Sequence, residues 1–84
     1  MHEYHLVKSV IKTIEAKTAQ LNDIKKVTLI KITLGDLKMV TKEHFAETFK
    51  EVSRGTICEG AALDIKEVRG DVFVVENIEG EYKE

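Results

Sequence analysis

From Val27 to Leu34 the chain alternates in a way that only a β-strand can use. Thr28, Ile30, Ile32 and Leu34 fall on one face, and Val27, Leu29, Lys31 and Thr33 on the other. The first face is the more apolar and is expected to meet the helices. The second leaves Val27 and Leu29 partly exposed, as a surface for contacts. Gly35-Asp36 breaks the strand. A single strand so rich in branched apolar residues must be covered, and the flanking segments supply the cover.

Before it, Val7, Val10, Ile11 and Ile14 recur at i, i+3, i+4 and i+7, with Thr18 and Leu21 continuing the stripe and Leu6 widening it. Lys8, Lys12, Glu15 and Lys17 take the opposite side, so a helix reaching about Ala19 lies on a core with one face wet. Leu21-Asn22-Asp23 ends it by turn chemistry. After the strand, Thr41 is a candidate N-cap with Glu43 in the first turn. Val40 and Phe45 have the spacing of a hydrophobic staple. Phe45, Thr48, Phe49 and Val52 form the stripe of this second helix, and Gly55 is placed to terminate it as the C′ residue. Leu63–Val68 and Val72–Glu79 are two further strands separated by Arg69-Gly70-Asp71. The order helix, strand, helix, strand, strand predicts an α+β fold, a small three-stranded mixed sheet packed against two helices. The helical link from Leu34 to Leu63 is long enough for a parallel crossover. The last two strands are expected to pair as an antiparallel hairpin.

Composition narrows the function. A chain of 84 residues makes one domain, and a net charge of -2 lacks the basic face that nucleic-acid binding requires. No apolar run approaches the ~20 residues of a bilayer crossing, and charges interrupt the first helix, so neither membrane nor signal peptide is expected. The lone Cys58 excludes an internal disulfide and a cysteine-only zinc site, and the cytoplasm is the expected compartment. Cys58 itself is expected to be a small, semi-buried residue. Glu3, Glu43 and Glu47 accompany no nucleophile-and-base set, and no glycine-rich phosphate loop is present, so no enzyme is expected.

Chemistry concentrates at the first three residues. A free terminus at Met1-His2-Glu3 offers the Met1 amine, the His2 backbone nitrogen and the His2 imidazole, with the Glu3 backbone nitrogen as a fourth donor. Four nitrogens closing fused chelate rings suit a tetragonal or square-planar divalent ion, Ni(II) or Cu(II). His5, one helical turn on, is placed as a solvated neighbour or an axial ligand, and His44 as a surface residue.

Met1-His2-Glu3, the Leu6-to-Ile14 helix, Ile30-x-Ile32-x-Leu34-Gly35-Asp36-Leu37, Gly55-Thr56, Gly60-Ala61-x-Leu63-x-Ile65 and Phe73-x-Val75-x-x-Ile78-Glu79 stand in an order that resembles the HypA family of nickel metallochaperones. The resemblance implies that Met1, His2 and Glu3 bind Ni(II) for delivery during maturation of [NiFe] hydrogenase or urease. It implies as partners a HypB-type GTPase and the hydrogenase large subunit. HypA proteins carry a zinc domain with two Cys-x-x-Cys pairs between the last two strands. Here the turn at 69–71 stands in its place, so residues 1–84 are expected to form only the nickel-binding domain, with no zinc site. The alternative reading is a metal-free interaction module, dimerising through the Val27–Leu29 face or the edge of the last strand.

Overall fold

The computed structural model describes residues 2–21 and 23–83, the side chain of His2 excepted. The order is α1 (His2–Leu21), β1 (Ile24–Gly35), a 3-10 turn (Asp36–Lys38), α2 (Lys42–Val52), β2 (Ala62–Val68) and β3 (Phe73–Tyr82). Two helices cover one face of a three-stranded sheet, as the patterning predicts. α1 reaches two residues beyond the expected end at Ala19, and Leu21, placed on its stripe, is 56% exposed rather than part of the core.

The strand order is β2-β1-β3, with β1 parallel to β2 and antiparallel to β3. The parallel crossover through α2 is therefore present, but the expected hairpin between the last two strands is not. β2 and β3 lie on opposite edges of β1, so residues 69–72 must pass over the end of the central strand. Two strand spacings are roughly 9–10 Å, well within the reach of four residues. The crossing is close: the Gly35 N–H donates to the Val72 carbonyl at 2.7 Å and the Leu37 N–H to the Gly70 carbonyl at 3.0 Å. The backbone of Gly35 is ordinary extended chain, with φ -81° and ψ 144°, so its glycine is required by space. A Cβ there would collide with the Gly70 carbonyl oxygen and lie 2.7 Å from the Val72 nitrogen.

Position in the sheet follows from composition. β1 has the longest apolar run and takes the centre, while β2 and β3 turn charged residues outward at the edges. Its inward face also differs from simple alternation. Val27 is buried at 1% exposure, where strict alternation put it on the open face. The ladder to β3 slips between Val27 and Leu29, and this bulge turns Val27 to the same side as Ile30. Leu29 remains half-buried on the open face, in register with Ala62.

The core joins Val7, Val10, Ile11 and Ile14 of α1 to Val27, Ile30 and Ile32 of β1, and to Val40, Phe45 and Phe49 around α2. Thr18 continues the α1 stripe as a buried polar residue, its hydroxyl satisfied by the Ile14 carbonyl at 2.9 Å. Thr41 caps α2 by accepting from the His44 N–H at 3.1 Å, and both staple residues, Val40 and Phe45, are buried. Ser53 is the C-cap, so Gly55 sits two residues beyond it, at φ 77°, and turns the chain there. Phe45 reaches across to Phe73 of β3 with ring centroids 5.8 Å apart. Among the described residues no helix is long and apolar enough to cross a membrane.

Replacing Gly35 by alanine therefore drives a methyl group into the crossing backbone. Overpacking of this kind costs about 1–3 kcal/mol, and the urea midpoint of Gly35→Ala should fall accordingly.

Candidate metal-binding terminus

α1 runs antiparallel to β1, so its first turn lies at the end of the sheet where β1 stops and the 3-10 turn begins. A hollow of about 330 Å³ records this placement, lined by His5, Leu6 and Ser9 of α1 and by Lys38 and Val40 beyond β1. Of the three residues expected to hold a metal, Glu3 is half-buried in the first turn of α1. Met1 and the side chain of His2 lie outside the described residues. Among the described residues no group of three or more His, Cys, Asp or Glu side chains is gathered closely enough to hold an ion.

The next turn is a small organised cluster that the sequence reading passed over. The Tyr4 ring stands edge-on to the His5 imidazole, centroids 5.8 Å apart at 74°. The Lys8 ammonium lies 5.5 Å from the Tyr4 ring centre and 3.5 Å from its hydroxyl. The i, i+4 spacing of Tyr4 and Lys8 was the available signal. His5 and His44 are both exposed, as expected.

The turn bordering this end is clamped. The Gly70 N–H donates to Asp36 Oδ1 at 2.9 Å, and Lys38 Nζ lies 3.0 Å from Asp71 Oδ1. Met39 closes the 3-10 turn in the left-handed region, at φ 62°.

Cys58 belongs to the other end. It packs in the core, wholly buried rather than semi-buried, beside Glu15. Glu15 is twelve residues along α1 from Glu3, roughly 18 Å of helix. Burial pushes the thiol up to about 11 from an ordinary 9.0, repulsion from Glu15 adds to it, and the hydrogen bond with Thr56 opposes both. A thiol so held is a packing group and not a nucleophile or metal ligand at neutral pH.

Known proteins give this terminus a context. Residues 1–74 match the family model described as HypA, hydrogenase/urease nickel incorporation, metallochaperone. The chain is 39% identical to the hydrogenase maturation factor HypA of Methylocella silvestris over 71 residues, covering 84% of this chain and 62% of that protein. It is 36% identical to the Pyrococcus abyssi factor over 83 residues, covering 99% of this chain and 58% of that one. The chain thus spans about 60% of the length of the curated relatives it matches. The solution structure of the nickel metallochaperone HypA from Helicobacter pylori shares its fold, with a TM-score of 0.64 at 24% identity over 92% of this chain and 72% of that one.

The raised thiol has a pH signature with a definite sign. Below pH 9.0 the thiol is protonated in both folded and unfolded chains, and its contribution to stability is fully present. Above pH 9.0 the unfolded chain ionises first, so that contribution is lost as pH rises through about 11. Denaturant melts of the wild type and Cys58→Ala, subtracted pH by pH, should give a flat difference below pH 9.0 and a decline above it. Ellman's reagent at pH 8 should label Cys58 slowly in the native protein and rapidly in guanidinium.

Proposed function

The chain belongs to the HypA family, and on that premise we propose that it carries nickel: Met1, His2 and Glu3 hold Ni(II) and release it to a maturing [NiFe] hydrogenase or urease. The observation that carries this reading is the family match over residues 1–74, which takes in the terminus itself.

The position of the terminus on α1 supports the chemistry. The first four N–H groups of a helix have no intrahelical acceptor, so the His2 and Glu3 amides are free to serve as donors without breaking the helix. The helix N-terminus also carries about half a positive charge, which opposes a dication. Loss of amide protons removes that conflict, and the Glu3 carboxylate lessens it further. A free α-amine ordinarily titrates near pH 7.7–8, so binding releases protons and tightens as pH rises. Copper(II) binds such a donor set at least as tightly as nickel. Selectivity then rests on which metal the cell presents and on the receiving protein.

The chain performs ligand exchange rather than catalysis. Its partners on this reading are a HypB-type GTPase and the hydrogenase large subunit. The segment 69–71 takes the place of the family's zinc domain, leaving the nickel-binding part alone.

Calorimetric titration of the untagged protein with Ni(II) should show affinity rising from pH 6 to pH 8. His2→Ala should weaken binding by roughly tenfold or more, ~1.4 kcal/mol per decade, with the melting curve unchanged. Nickel spectra lacking in-plane nitrogen bands, or an unaffected His2→Ala variant, would leave the metal-free interaction module as the reading.

A further inference from the structure

Among the described residues β3 pairs with β1 alone, so the outer backbone of Phe73–Tyr82, ten residues long, meets no other described strand. An open edge of that length is a template for a further strand. Beside it runs a groove of about 540 Å³ between β3 and α1. Its helix wall includes the short side chains of Ser9 and Thr13 together with Ile14 and Lys17, and its strand wall includes Val74, Glu76 and Asn77. Val74 is 40% exposed, although it is a branched apolar residue in a strand.

The strand itself is charged with one sign, although Lys17 lines the groove beside it. β3 carries Glu76, Glu79 and Glu81 and no lysine or arginine. Lys26 approaches Glu81 at 3.8 Å, but both side chains are more than half exposed, and such a pair contributes little. Glu76 accepts the Thr33 hydroxyl at 2.8 Å, and among the described residues neither Glu76 nor Glu79 has an ion-pair partner. The opposite edge, β2, is shorter and mixes Asp64 and Glu67 with Lys66, so it expresses no such preference.

We propose that the outer edge of β3 is a strand-addition site for an extended, basic segment of a partner protein. The segment continues the sheet through its backbone. Alternate lysine or arginine side chains meet Glu76 and Glu79, and the intervening apolar ones enter the groove along Ser9 and Thr13. A second copy of this chain fits poorly, because a symmetric β3–β3 pair lines the carboxylates of both strands along one seam. The proposal does not depend on the terminus binding nickel.

The test is titration of the intact, isotope-labelled protein with a capped peptide alternating lysine and valine, followed by amide NMR. The expected result is shifts confined to residues 73–79 and the facing turns of α1, with binding about tenfold tighter than that of the glutamate–valine counterpart. N-methylation of alternate peptide amides should abolish binding, since it removes strand pairing and leaves the charge. Glu76→Lys combined with Glu79→Lys should reverse the preference between the two peptides, with an unchanged circular-dichroism spectrum confirming the fold. Shifts scattered over the surface, equal binding of the acidic or N-methylated peptide, or a dimer through β3 in sedimentation equilibrium would overturn the proposal.

Discussion

The backbone of residues 69–72 lies directly on Gly35, and the rest of the architecture depends on that approach. Without it β3 could not leave the edge where β2 ends and reach the far side of β1. The most apolar strand would then be an edge, with one row of its peptide groups in water. With it, β1 is paired on both sides, α2 rests towards β2, and α1 rests towards β3. The same approach ties down the turn that follows β1, through Asp36 to the Gly70 amide and through Lys38 to Asp71. The end of the molecule that bears the amino terminus of α1 is therefore built against a clamped turn.

Periodicity exposed the elements because it records which side of each faces the core. Val7, Val10, Ile11 and Ile14 are buried, as are Phe45 and Phe49, and the fold class followed from them. Two things were hidden. Val27 and Ile30 share a face only because of a bulge in the ladder, and bulges are set by the partner strand. The exchange of a hairpin for a crossing turned on the absent side chain at Gly35, which reads in sequence as an ordinary strand breaker. The proposed metal-binding terminus was suggested for the opposite reason: chelation by successive backbone nitrogens is a property of adjacent residues and needs no tertiary partner. The acidic edge of β3 was not, because which strands end at the margins of a sheet is a matter of topology.

Sulfur and nitrogen are kept apart in this molecule. A thiolate near the surface would compete for any thiophilic or borderline ion offered to the chain. Cys58 is instead sealed beneath α1 and held protonated, with Glu15 adding to the cost of its ionisation. The burial that makes it a good core residue thus also removes a rival donor, while the imidazoles of His5 and His44 stay exposed. Its environment is apolar and acidic, where that of the first turns of α1 is cationic and aromatic through Lys8 and Tyr4.

The register of β1 with β3 couples Ile24 to Tyr82 and Leu34 to Phe73, and α1 faces that same late strand across Val10 and Ile14. Segments far apart in the polypeptide must therefore meet before either has its final surroundings. On a translating ribosome the first helix emerges early but waits for β3 to be made. The sheet is completed only once β3 is present, and the loop closures it requires, more than any local helix preference, govern its pace.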